Sequence, residues 1–499
     1  MKSVGLTLSM AAACLVASCA EGPQDVVHTS SGAVRGTVRS TTAGPVRAFF
    51  GIPFAEPPLG ERRFRKPMPK MPWRGILNAT ALPPLCPQNP MRMNSYFAVT
   101  ETDPISEDCL FLNVFAPARN DSVLRPVVAY IHGGAFTFGG ISLKIFDASE
   151  LAVRGDLVVV TIAYRLGPLG FLYMDTEDAP GNMGLYDQQL ALQWVRDNAR
   201  SFGASPDAIT VMGQSAGGIS IGIHVLSPSS AGLFHRAFMQ SGSPFIGAFV
   251  TTPEQAKSKA ETLASYLDCK ESDSHDLSRV EVLACMRSKS VGDVLSALEN
   301  FDEAEFNGFF PFFGGDFVPK MLQREFTHAQ LNARDFLVSV CEADGDFLIA
   351  YLLEKFNILE NLDKVTERRM EAIMRLVLLR GLPGADIDAI IERYLSPASG
   401  KNAVELARAA GAIVGDWLFA CPAASMVHAL AAANVSVRAL RYSEQLSFLD
   451  WPEWVRPTHG DDVVFSLGSS LGLGGSPSDA DVRATEEMIN VVSTFARTG

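Results

Sequence analysis

From residue 127 onward, short apolar runs rich in β-branched side chains alternate with longer amphipathic stretches, and this rhythm limits the folds open to the chain. Val127-Val128-Ala129-Tyr130-Ile131 and Leu157-Val158-Val159-Val160-Thr161-Ile162 read as strands buried on both faces, because neither alternates apolar with polar residues. Leu185 to Phe202 has helical spacing through Leu190, Trp194 and Val195, and it stops near Gly203. Ile209-Thr210-Val211-Met212, Ala237-Phe238-Met239, Phe336-Leu337-Val338-Ser339-Val340 and Val437-Arg438-Ala439-Leu440-Arg441-Tyr442 extend the strand series. Such repetition predicts an α/β architecture, a large, mostly parallel, twisted central sheet with helices on both faces. Residues 253–300 and 350–430 read as largely helical excursions over that sheet. No repeat, low-complexity block or linker divides the chain, so residues 21–499 are expected to form a single domain.

Composition narrows the partners. Of 499 residues, 47% are hydrophobic and 19% charged, the balance of an ordered globular protein. The net charge of −13, with no basic block, argues against nucleic acid or an anionic membrane. Lys2, the apolar run Val4 to Ala17 and the small residues Ser18-Cys19-Ala20 read as a secretory signal peptide over residues 1–20. Val16-Ala17-Ser18-Cys19 also resembles a bacterial lipoprotein box. Three N-x-S/T sequons, at Asn78, Asn120 and Asn434, favour a eukaryotic secretory route and are glycosylation candidates. No later apolar run reaches the roughly 18 residues of a membrane span, and no hydrophobic tail suggests a lipid anchor, so a soluble, secreted, extracellular product is expected. Setting aside Cys14 and Cys19 leaves six cysteines in an oxidising setting, with Cys86/Cys109 and Cys269/Cys285 the pairs close in sequence. Cys341 and Cys421 remain over, either paired or buried as free thiols.

Gly-x-Ser-x-Gly occurs around Ser215, Ser220 and Ser470. A nucleophile elbow needs a strand before the serine and a helix after it, with glycines permitting the sharp turn. Only Ser215 follows a strand directly. Ser220 falls inside the next helix, and Ser470 lies in a Gly/Ser-rich loop. Upstream, His132-Gly133-Gly134-Ala135-Phe136 follows the strand ending at Ile131. Glycine there lets backbone N–H groups approach a developing oxyanion, so Gly133, Gly134 and Ala216 are the candidate oxyanion donors. His132 reads as a structural turn residue.

In the α/β-hydrolase fold the chain order is nucleophile, acid, histidine. Of eight histidines, His428 and His459 come late enough. His428 belongs to an Ala-rich helical stretch, whereas His459 sits in Pro457-Thr458-His459-Gly460-Asp461-Asp462, a loop beyond the last strand. Cys341-Glu342-Ala343-Asp344-Gly345-Asp346 follows another strand and offers three carboxylates. Asp344, before a glycine, fits the acid best. Glu342 and Asp346 stay open as alternatives for the acid, with plain solvated loop charges the other reading of both.

With these residues placed, the chain resembles the type-B carboxylesterase/cholinesterase family over nearly its whole mature length. Phe50-Gly51-Ile52-Pro53-Phe54-Ala55-Glu56-Pro57-Pro58 with Arg63-Phe64, Ser106 to Val114, Gly181 to Gln188, Gly213 to Gly218 and His459-Gly460-Asp461-Asp462 carry the likeness. It implies disulfides Cys86–Cys109 and Cys269–Cys285, salt bridges Glu107–Arg63 and Arg165–Asp187, and an active site deep in an aromatic-lined gorge. Three departures stand out. The family usually has Glu where Asp344 stands. Residues 87–108 contain no Trp, only Tyr96 and Phe97, which weakens any cation–π site for a quaternary amine. The chain ends where relatives continue through a further C-terminal segment, which would leave Cys421 without its usual partner. The cluster Phe306, Phe309, Phe310, Phe312, Phe313 and Phe317 falls where the family shapes its acyl pocket, and plain core packing is the equal reading. The resemblance implies a serine carboxylesterase working through an acyl-enzyme on a small-molecule ester, with a cholinesterase or a non-catalytic adhesion protein as alternatives. No metal or organic cofactor is implied, since no clustered His/Cys ligand spacing remains.

Overall fold

The computed structural model describes residues 26–91, 97–119, 121–270, 278–301, 308–317, 330–355 and 365–499, without the side chains of 354, 355 and 380. The leader with Cys14 and Cys19, together with Asn120, Tyr96 and Phe306, lies outside the described residues.

The centre is a nine-stranded sheet. Its strands are β1 (Thr37–Thr41), β2 (Gly44–Pro53), β3 (Phe111–Pro117), β4 (Arg125–Ile131), β5 (Val158–Ile162), β6 (Ala204–Gln214), β7 (Arg236–Gln240), β8 (Asp335–Cys341) and β9 (Ser436–Tyr442). The spatial order is β9-β8-β7-β6-β4-β5-β3-β2-β1. From β9 to β5 all pairings are parallel, while β5–β3, β3–β2 and β2–β1 are antiparallel. All six strands expected from the apolar runs are present. The antiparallel edge was not anticipated: β1 is mostly exposed and carries no apolar run, and the buried β2 and β3 precede the stretch where strands and helices alternate.

Successive side chains of a strand point to opposite faces, and both faces here are buried. Val127, Ala129 and Ile131 of β4 join one apolar cluster with Ile209, Val211, Ala237 and Met239. Val128 and Tyr130 join another with Met212, Phe238 and Leu337. That explains why these strands read as continuous apolar runs: neither face meets water. Helix α1 (Met183–Asn198) and helix α2 (Ala216–Leu226) cover the first face. The C-terminal helix Asp479–Thr498 covers the second through Met488, Ile489, Val492 and Phe495. Arg236 donates to the carbonyls of Ala496 and Arg497, satisfying the end of that helix. Each large side chain buried this way contributes roughly 1.5–3 kcal/mol.

Both implied disulfides are present, Cys86–Cys109 and Cys269–Cys285. So are both implied salt bridges, Arg63–Glu107 at 2.6 Å and Arg165–Asp187 at 2.7 Å, the second almost wholly buried. Cys341 is a buried free thiol, but Cys421 is free and exposed, which corrects half of that expectation. The expectation that no later segment is long and apolar enough for a membrane span also needs correction. Residues Ala403–Ala432 form one 30-residue helical stretch that meets the requirement by length and composition. An uninterrupted apolar run misses it, because isolated polar residues are scattered along it. Its Leu406, Ala410, Ile413, Val414, Met426 and Leu430 are buried in the chain's own core.

Candidate active site

The carboxyl ends of the parallel strands and the loops that follow them collect the candidate residues. Strand β6 ends at Gln214 and α2 begins at Ala216, so Ser215 alone makes the turn. Its φ of 55° and ψ of −121° are costly for a residue with a side chain. The turn is tight enough that a Cβ on Gly217 would sit on the carbonyl oxygen of Ile131. Sequence and geometry agree on why glycine is needed there. Ser220 is a helix residue whose hydroxyl donates to the Ala216 carbonyl, and Ser470 is buried against Thr485.

Asp344 follows the end of β8 and is 3% exposed. Its Oδ2 accepts from the Cys341 N–H at 2.8 Å and the Ser241 hydroxyl at 3.0 Å, and its Oδ1 lies 3.0 Å from Nδ1 of His459. The shorter Asp therefore reaches the imidazole. Glu342 is exposed beside Arg441. Asp346, read as either an alternative acid or a solvated loop charge, is fully buried and paired with Arg456 at 2.9 Å. It heads the helix Asp346–Lys355, which turns its side chain inward, away from the loop surface. Burial raises its pKa, and Arg456 opposes the shift.

His459 is held in a turn fixed by Thr458, whose N–H donates to Asp461 and whose hydroxyl donates to the Ala343 carbonyl. The ring lies between Phe347 and Phe419, at centroid distances of 4.8 and 4.2 Å. With Nδ1 facing a carboxylate, that nitrogen carries the proton and Nε2 presents its lone pair. The group facing Nε2 is the Gln214 side-chain amide, 3.0 Å away. No hydrogen bond joins His459 to Ser215. Both residues line one cavity of about 220 Å³, together with Gly133 and Gly134. Among the described residues, no group accepts a hydrogen bond from the N–H of Gly133, Gly134 or Ala216. Gly134 has φ 110°, and a Cβ there would collide with the Phe138 carbonyl, so no other residue fits.

A model of the carboxylesterase family matches residues 23–499. The chain belongs to the carboxylesterase family. It is 34% identical to an acetylcholinesterase of Bungarus fasciatus over 492 residues, covering 95% of this chain and 78% of that relative. To a cholinesterase of Mus musculus it is 33% identical over 484 residues, covering 95% and 79%. As a carboxylesterase-family member with an α/β-hydrolase fold, the protein is a carboxylic ester hydrolase.

Other residues of this carboxylesterase fold take the structural roles their setting dictates. His132 is buried, with Nδ1 2.7 Å from the Gly133 carbonyl, and burial pushes its pKa down to about 4. It stays neutral and stacks on Tyr164. His428 is exposed on its helix. Among the described phenylalanines of the 309–317 cluster, none lines the cavity. Phe309, Phe310, Phe312 and Phe317 are buried in packing elsewhere, so the core reading applies to them. The cavity wall comes instead from Phe97, Phe249, Leu348, Tyr351, Leu418 and Phe419. Leu418 and Phe419 ride on a π-helical turn, Asp416–Ala420, inside the long helix. The extra residue of such a turn re-aims neighbouring side chains. Sequence reasoning missed Gln214, Ser241, Phe347 and Phe419. Only Gln214 carried a local signal, being the residue just before Ser215 in the Gly-x-Ser-x-Gly motif.

Proposed function

We propose that the chain is a secreted serine carboxylesterase acting on neutral, apolar esters through an acyl-enzyme. Ser215 is the nucleophile, His459 the general base and Asp344 the acid that fixes the imidazole tautomer and stabilises the imidazolium. The Ser215 oxygen attacks the ester carbonyl as His459 takes its proton, and the N–H groups of Gly133, Gly134 and Ala216 receive the oxyanion. His459 returns the proton to the leaving alcohol. Water, deprotonated by the same imidazole, then hydrolyses the acyl-enzyme and frees Ser215. Catalytic hydrogen bonds are often long before substrate binds, so the open Ser215–His459 pair is compatible with this sequence. The observation that carries the reading is the Asp344–His459 hydrogen bond at the edge of the cavity that Ser215 lines.

The two cholinesterase relatives make a choline ester the second reading. Against it, no Asp, Glu or Trp lines the cavity among the described residues, so neither carboxylate nor indole is there to meet a quaternary ammonium. Residues 21–499 acting as one domain behind a leader at 1–20 complete the proposal. Two disulfides and the exposed positions of Asn78 and Asn434 support the secretory route and glycosylation at those sites.

Hydrolysis of p-nitrophenyl acetate, its block by an organophosphate and its loss in Ser215→Ala test the chemistry. The loss is expected to reach on the order of 10⁴- to 10⁶-fold in kcat. A variant retaining activity within tenfold overturns the assignment of Ser215 and favours a non-catalytic binding role for this site. Acetylthiocholine set against a neutral thioester of equal size tests the substrate class, and a strong choline preference defeats it.

A further inference from the structure

The lone pair that Ser215 needs is already occupied. His459 Nδ1 faces Asp344 at 3.0 Å, so its Nε2 is an acceptor, and the Gln214 amide nitrogen stands 3.0 Å from it. Gln214 is 6% exposed and lines the wall of the same cavity. It is the last residue of β6, anchored by the sheet on one side and by the elbow on the other. We propose that Gln214 is a positioning residue that latches the resting base: its amide N–H holds the His459 lone pair and must let go before Ser215 can transfer its proton.

This rests on the reading of Ser215 and His459 given above. An imidazole nitrogen has one lone pair, so it cannot accept fully from Gln214 and from the Ser215 hydroxyl together. Once the ring is protonated, Nε2–H faces an N–H donor, and two donors repel. Both steps of proton transfer are therefore opposed by the amide until it swings aside or presents its oxygen. Asp344 by itself already selects the Nδ1–H tautomer, so the Gln214 contact is not needed for that task. The latch keeps the base and the nucleophile apart until an ester enters and displaces the amide from the cavity wall.

The test compares Gln214→Met, which keeps length but removes the donor, with Gln214→Glu, which offers an acceptor that stabilises the imidazolium. Burst kinetics with p-nitrophenyl acetate give the acylation rate constant, and labelling by a neutral organophosphonate gives Ser215 reactivity. A net hydrogen bond of ordinary strength corresponds to about a three- to tenfold change in rate. Gln214→Met is expected to acylate faster by about that factor with KM nearly unchanged, and Gln214→Glu to acylate more slowly at neutral pH. A merely structural glutamine predicts slower acylation and a lower melting temperature in both variants. Wild-type or slower acylation by a folded Gln214→Met, judged by an unchanged melting temperature, overturns the latch. Activity surviving in Ser215→Ala instead overturns the underlying reading, so the two failures are distinguishable.

Discussion

The floor and the wall of the cavity are built in opposite ways. The floor is made of strand ends: Ser215 in a strained turn, Asp344 accepting from three partners, and His459 pinned by Thr458 and Ala343. Its geometry is fixed by hydrogen bonds between groups that cannot move without exposing unpaired polar atoms. The wall is largely apolar, with Leu348, Leu418 and Phe419 carried on helices. Apolar packing tolerates exchange of side chains at modest cost, whereas a hydrogen-bonded network does not. On the proposed mechanism, the contrast assigns the chemistry to the floor and the selection of substrate size and polarity to the wall.

Substitutions can break this division. After Ser215→Ala, the largest effect is expected from Asp344→Asn, which removes the carboxylate from the floor. It should lower kcat by about 10³- to 10⁴-fold while ester KM changes little. Near-wild-type turnover by that variant would detach the acid from the floor altogether. Phe419→Ala acts from the wall. It should cost about 3–5 kcal/mol of stability by opening a cavity, and widen acceptance of long acyl chains in a chain-length series. A series shifted equally at every acyl length would show that Phe419 serves His459 rather than the substrate.

Smaller effects sharpen the boundary. Asp346 lies two residues from Asp344 but pairs with Arg456, outside the floor. Asp346→Asn should therefore lower stability by about 1–3 kcal/mol in denaturant melts, leaving kcat within a fewfold of wild type. The last prediction concerns pH. Burial pushes the carboxyls of Asp461 and Asp462 up to about 7, with the nearby Asp344 charge adding to the shift. The folded state then binds more protons than the unfolded state between the ordinary carboxyl range and about pH 7. Stability from these groups is present below that window and is lost as pH rises through it. Asp462→Asn should flatten the fall in unfolding free energy between pH 5 and 8, by an amount on the order of 1 kcal/mol in denaturant melts. An unchanged pH slope would show that these carboxyls are charged in the folded protein.

The legibility of the site follows the same division. Ser215, Gly133 and Gly134 were readable because an elbow and an oxyanion loop need particular residues at fixed local offsets. His459 and Asp344 were singled out by chain order and loop placement, and the structure brings the two side chains within 3.0 Å. Phe419 was not, since nothing in an Ala-rich helix shows that a π-turn will aim it at an imidazole forty positions away. The burial of Asp346 was equally hidden, because its partner Arg456 lies 110 residues further on.

By itself the sequence determined the parallel core of the sheet, the elbow and the glycines around it, for these depend on periodicity and backbone sterics within a few residues. Only the tertiary structure decided which aromatics enclose His459 and which donor faces its Nε2. Those contacts span 40 to 245 residues. They are set by where strand ends converge, a relation that local patterns do not encode.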